Sequence, residues 1–239
     1  MVKKQSFALI LGIILIFSSC YREEKGGIKI ATVKKRSGNH QIYYPELRGG
    51  EQAVTSKINR DIFETANLSL DQCEYKDNKE EMKFKSIYSI KFNEEEILSI
   101  RFDQKIVPKN SIRTYHEIKS ITVNKDSGYV YKIGDFFVER SNYDRIISQF
   151  IKEKIISQNI DTIREFQGID MNQEFYIKKN SMVVYYQPYV YTTRSYGPLV
   201  IEIPFTYLFR IVKKEYLDLF VEGSIDRGLL EQCGMFRLN

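Results

Sequence analysis

From Ile28 onward, apolar and polar positions alternate in ways that mark out separate elements. Ile28, Ile30 and Thr32 alternate with Lys29 and Ala31, and a second apolar run covers Ile42 to Leu47, interrupted by Pro45 and closed by Gly49-Gly50. Both predict short strands, with Ser37-Gly38-Asn39 as the turn between them, because Gly and Asn tolerate the positive φ of a tight reversal. Over residues 51 to 66, Val54, Ile58, Ile62 and Phe63 fall on one helical face, with Lys57, Arg60 and Asp61 away from it, so a helix is expected. Met82 to Phe92 alternates with period two and Ile97 to Phe102 repeats the alternation, which predicts a hairpin turning at Asn93 to Glu95.

The second half of the pattern starts with a strand from about Thr114 to Val123, which Asn124 to Gly128 turns into a strand over Tyr129 to Ile133. Ser141 is the expected N-cap of a helix, with Asp144 as its capping-box partner and Tyr143, Ile146, Ile147, Phe150, Ile151 and Ile155 as its apolar face. Phe175 to Ile177 and Met182 to Tyr189 read as a strand pair and Leu199 to Phe205 as a last strand. From Thr206 the helical period returns in Leu208, Ile211, Val212, Tyr216, Leu219 and Phe220, ending at Gly223. Paired strands with three helices predict an α+β fold of antiparallel sheets with helices packed on one face, and argue against a βαβ repeat. The order of elements fits two related halves meeting near residue 108, although no sequence repeat accompanies it.

The first residues follow a different pattern. An apolar run from Phe7 to Phe17 is preceded by Lys3 and Lys4 and followed by Ser18-Ser19-Cys20. The run is shorter than the ~20 residues that span a bilayer, so it predicts a cleaved signal peptide over 1–19. Small residues directly before a cysteine resemble the bacterial lipobox, which implies a lipidated (diacylglycerol, palmitate) Cys20 at the mature N-terminus. The expected organisation is therefore a signal peptide (1–19), a tether (20–27), an N-terminal α+β module (28–107), a second α+β domain (108–222) and a C-terminal extension (223–239). The working part is expected outside the cytoplasm, held at the membrane of the bacterial envelope.

Composition narrows the choice of partner. The net charge of +5 falls to +3 without Lys3 and Lys4 and is spread over both signs, too weak and mixed for nucleic acid. With Cys20 as anchor, Cys73 and Cys233 remain. They are either a disulfide closing a loop of ~160 residues, worth up to ~5 kcal/mol, or two free thiols. No Cys or His spacing suggests a metal, and no cofactor motif is present.

One stretch goes beyond generic α+β. Asp126-Ser127-Gly128, Asp135-Phe136-Phe137, Phe175-Tyr176-Ile177, Pro188-Tyr189, Gly197 and Ile203-Pro204 together resemble the RsiV-like extracytoplasmic domain, found in lysozyme-sensing anti-sigma factors and beside polysaccharide deacetylases. The resemblance covers about residues 113 to 210. Weaker points of similarity to the module that precedes that domain are Tyr44-Pro45, Ile58-Asn59 and Leu98-Ser99-Ile100. It implies a protein-binding ectodomain with lysozyme as the candidate partner.

The residues themselves suggest binding more than catalysis. There is no G-x-S-x-G, HExxH or phosphate-loop pattern, and the only histidines are His40 and His116. Asp126 and Asp135 are expected to serve a turn and a helix start, Glu94 to Glu96 to form a solvated hairpin tip. An enzymatic reading would have to assemble Asp135, His116 and Glu202 from distant positions. The segment Tyr185 to Pro198 is rich in tyrosine with one arginine, the composition of interface hot spots. Tyr189, Tyr191, Arg194 and Tyr196 are the expected partner-binding residues. Two functions follow as expectations: a non-catalytic, lipid-anchored protein that captures an extracytoplasmic protein such as lysozyme, or, alternatively, a peptidoglycan-binding wall module.

Overall fold

The computed structural model describes residues 27–67, 82–109 and 114–221. The segments expected to be a signal peptide and a C-terminal extension, together with Cys20, Cys73 and Cys233, lie outside the described residues.

Five strands form one sheet in the order β1 (Lys29–Ser37), β2 (His40–Arg48), β3 (Lys83–Glu94), β4 (Ile97–Val107) and β5 (Tyr115–Asn124). Helix α1 (Gln52–Ala66) covers one face. Ile58 and Ile62 pack there with Phe84, Leu98, Ile100, Phe102 and Ile106, all buried. The strands alternate because every second residue points at α1. The buried Gln104 side chain belongs to this face, and its amide donates to the carbonyls of Thr65 and Ala66 at the open end of the helix (3.3 and 3.2 Å).

The fold is α+β as expected, with one difference in pairing. β2 and β3 run parallel, over His40 to Ile42 only. Beyond that point β2 leaves β3, which is why Pro45, with no N–H to donate, is tolerated there. The Asn59 carboxamide takes over the pairing: Leu47 N–H donates to its Oδ1 at 2.7 Å, and its Nδ2 donates to the Leu47 carbonyl at 2.9 Å.

A second sheet is formed by β6 (Phe175–Lys178), β7 (Ser181–Tyr186) and β8 (Leu199–Pro204), all antiparallel. One face carries Ile177, Val184, Ile201 and Ile203 into a core shared with α2 (Tyr143–Ser157), α3 (Phe205–Leu208) and α4 (Lys214–Phe220). The other face brings Tyr176, Val183 and Tyr185 against Ile118 of β5. Polar groups fix this seam. Ile177 N–H donates to Ser99 Oγ (2.9 Å), Ser99 bonds Thr122 (2.7 Å), and Ser120 Oγ donates to the Phe175 carbonyl (2.6 Å) while bonding the Tyr185 hydroxyl (2.8 Å).

Four local expectations change. Tyr129 to Ile133 makes only a single bridge, Val130 to Val123, and then a 3-10 turn over Ile133–Phe136. The Asp135 carboxylate organises that turn by accepting from Lys132 N–H (2.7 Å) and the Tyr129 hydroxyl (3.1 Å). In the preceding turn it is Asn124, not Asp126, whose side chain accepts the main-chain N–H groups of Asp126 and Ser127. Helix α2 is capped by Asn142 at φ 54°, a conformation Asn accepts more readily than Ser, so Ser141 and Asp144 do not form the expected box. The last helix is broken between Leu208 and Lys214, because Val212 pairs with Phe137 while Val138 N–H and Lys213 N–H donate to the carbonyls of Ile211 and Phe136. Those main-chain groups are committed to a tertiary bridge and cannot continue a helix.

Candidate functional site

The β7–β8 loop, residues 187 to 198, is tied down at both ends. At its start, the Gln187 side chain lies along the free edge of β5. Ile118 N–H donates to Gln187 Oε1 (3.1 Å), and Gln187 Nε2 donates to the Ile118 carbonyl and to Glu174 Oε2 (3.1 Å). Edge-strand groups that would otherwise stay open are thereby paired. Within the loop, Tyr189 N–H donates to the Thr192 carbonyl (2.8 Å), and the buried Thr192 hydroxyl donates to the Gly197 carbonyl (2.6 Å).

Tyr191 is the loop's anchor. Its ring is only 4% exposed and packs against Tyr186 (4.8 Å between centroids) and Phe166 (5.2 Å), while its hydroxyl accepts from Gln167 N–H (3.3 Å). The expectation that Tyr191 contacts a partner is therefore corrected. It follows Val190 in a tight turn that swings its ring into the core, a direction that strand-like alternation along the sequence does not reveal.

The other three residues singled out from sequence do converge. Tyr189 and Tyr196 are 57% and 52% exposed and line a cleft of about 360 Å³ together with Arg194, Thr114, Tyr115, His116 and Glu117. Arg194 stacks on the Tyr115 ring (4.7 Å to its centroid) and donates from Nη2 to the Thr114 carbonyl (2.7 Å), so it joins the loop to the start of β5. Tyr189 holds φ at +69°. A bulky residue in that region is uncommon and costs on the order of 1 kcal/mol, which a fold retains where a side chain's direction matters.

Glu117 sits where this cleft meets a second one of about 400 Å³, lined on its far side by Lys85, Arg101, Asp103, Lys105 and Val200. Burial pushes the Glu117 carboxyl above the ordinary carboxylate range, Lys119 works against that rise and Glu174 adds to it. The cleft thus offers aromatic faces, a guanidinium and a half-buried carboxyl, the mix of flat apolar surface and a few polar groups that recognises a small or linear ligand.

The remaining candidates are dispersed. Asp135 serves its turn, and Glu202 accepts from Lys178 and from Ser181 (2.7 Å), partners that draw its carboxyl below the usual range. His116 is at the cleft, with neither carboxylate beside it in the lining. Glu94 pairs with Lys179 at 2.8 Å rather than standing free at the hairpin tip. The residues missed from sequence are Tyr115, Glu117 and Gln187. Their partners lie 69 or more residues away along the chain in the two contacts that close the cleft, Gln187 to Ile118 and Arg194 to Thr114, so no local signal marks them.

A family model described as "Protein of unknown function (DUF3298)" matches residues 134–206. The fold is similar to the crystal structure of a DUF3298 family member from Bacteroides fragilis NCTC 9343, at 11% identity and a TM-score of 0.61, covering 82% of this chain and 98% of that one. It is also similar to a DUF3298 family protein from Pseudomonas aeruginosa PAO1, at 12% identity and a TM-score of 0.53, covering 79% of this chain and 94% of that one. No curated protein matches the chain. These findings overturn the RsiV-like resemblance. Of the residues that carried it, Phe136, Phe175, Ile177 and Ile203 are buried core positions that report a fold rather than a partner. What this chain resembles over residues 134–206 is the DUF3298 family, and the lysozyme-sensing role that the earlier resemblance implied falls with it.

Proposed function

We propose that the protein is a non-catalytic module of the bacterial envelope that binds the glycan strands of peptidoglycan in the cleft between the start of β5 and the β7–β8 loop. The observation that carries this reading is the pair of exposed tyrosines, one of them in a left-handed backbone conformation, on a loop that Tyr191, Gln187 and Arg194 hold rigid. Flat aromatic faces with hydroxyl edges suit sugar rings, which present C–H faces and polar rims, and a preorganised loop spends little entropy on binding. The Phe7–Phe17 run and the Ser18-Ser19-Cys20 pattern support placement outside the cytoplasm with a lipid anchor at Cys20. Of the two functions drawn from the sequence this is the wall-polymer one; the lysozyme partner of the other came from a resemblance that no longer stands.

The test is co-sedimentation of the purified protein with peptidoglycan sacculi. Wild type should pellet saturably, and a Tyr189→Ala, Tyr196→Ala double variant should bind about tenfold more weakly, since losing ~1.4 kcal/mol of stacking is a factor of ten. Equal binding by the double variant, or no binding by wild type, would sink the proposal.

A further inference from the structure

One cross-strand row runs the full width of the large sheet. Arg36 on β1 lies opposite Gln41 on β2, Gln41 opposite Lys85 on β3, Lys85 opposite Lys105 on β4, and Lys105 opposite His116 on β5. Residues paired in register share a face, and this is the face turned away from α1. At ~4.8 Å between strands, the row extends for about 19 Å.

The row is cationic. Lys85 and Lys105 stand directly opposite each other, a like-charge pairing that destabilises a sheet. Neither makes an ion pair with a described residue. Two carboxylates share the 400 Å³ cleft with them: Asp103, one row away, which pairs with Arg101, and Glu117, beside His116 at the end nearer the tyrosines. Lysines on edge strands guard against unwanted strand pairing, but β3 and β4 are interior strands, so that explanation does not apply here.

The row is also concave and continuous with the tyrosine cleft. Lys85 and Lys105 line both the 400 Å³ cleft and a further one of about 370 Å³, whose charged lining residues are Arg36, Lys83, Lys85 and Lys105, all cations. At the other end, His116, Glu117 and Pro198 are common to the 400 Å³ cleft and the tyrosine cleft. Three hollows in succession suit a linear chain better than the plane of a bilayer.

We infer that the ligand is an acidic glycan strand, whose sugar rings occupy the tyrosine cleft and whose carboxylates lie along the Arg36–Lys85–Lys105 row. This rests on the glycan-binding reading above and names the charge of the ligand that reading leaves open. The lysines supply long-range attraction that salt screens, whereas the tyrosines supply contact that salt leaves intact.

The experiment compares the full-length protein with a Lys85→Gln, Lys105→Gln variant, which removes two exposed charges and relieves their repulsion, so folding is preserved. Three probes are used at 20 and at 300 mM salt: hyaluronate as an acidic glycan, the hexamer of N-acetylglucosamine as a neutral one, and phosphatidylglycerol vesicles. Wild type should bind hyaluronate more tightly than the neutral hexamer at low salt, and the double variant should lose about tenfold on hyaluronate alone, with a flatter salt dependence. Equal affinity for the two glycans, unchanged in the variant, would overturn the inference and leave glycan binding standing. Binding to neither glycan would overturn both. Tighter, lysine-dependent binding to the vesicles than to hyaluronate would assign the row to a membrane and refute the acidic strand.

Discussion

Replacing Gln187 by Leu tests whether one side chain joins the two sheets at the cleft. The substitution keeps most of the volume but removes the acceptor for Ile118 N–H, the donor to the Ile118 carbonyl and the donor to Glu174. Leaving a main-chain group without a partner costs ~1–3 kcal/mol when it is buried. The Ile118 edge is part-buried, so the lower end applies to each of its two groups, giving a loss of about 2 kcal/mol. For a protein of this size that corresponds to a Tm lower by roughly 4–8 °C. Urea titration followed by far-UV circular dichroism measures the change, with the slope of the transition confirming that the same surface unfolds. Gln187→Glu should be worse at neutral pH, because a carboxylate cannot donate to the Ile118 carbonyl and would face Glu174, and it should recover as acid neutralises the pair. A Leu variant within about 0.5 kcal/mol of wild type would refute the reasoning, since that is the range of an ordinary surface substitution.

Two further outcomes are expected. Tyr189→Gly should leave stability unchanged or raise it by up to about 1 kcal/mol, because glycine accepts the +69° φ without strain, yet it should weaken binding to sacculi; a clear loss of stability in urea would show that the ring packs rather than presents itself. Glu117→Gln addresses the raised carboxyl. Because the folded protein holds that proton above the ordinary value of 4.5, the stability Glu117 contributes is full below that pH and is lost as pH rises through the folded-state pKa. Wild type should therefore fall behind the Gln variant as pH climbs from about 4.5 toward neutrality, with the curves converging in acid, and parallel curves would exclude a buried ionisation.

The sequence by itself determined the elements whose periodicity is long and whose packing is one-sided. Helix α1 and the β3–β4 hairpin lie where the spacing of Ile58 and Ile62 and the alternation of Phe84 and Phe102 place them, because each element buries one face against the other. The exposed character of Tyr189 and Tyr196 was also legible, since their loop is too polar to enter a core. Tertiary structure decided the rest. Val212 looked helical until its main chain was taken by Phe137, and Tyr191 was indistinguishable from its neighbours until the turn beneath it directed its ring inward. The cleft exists only because β5 accepts the Gln187 clamp and the Arg194 contact, which bring residues 69 or more positions apart to one surface, and the cationic row runs from edge to edge only because five strands align in register. Local pattern reports which face of an element avoids water; it carries no information about which other element will come to lie beside it.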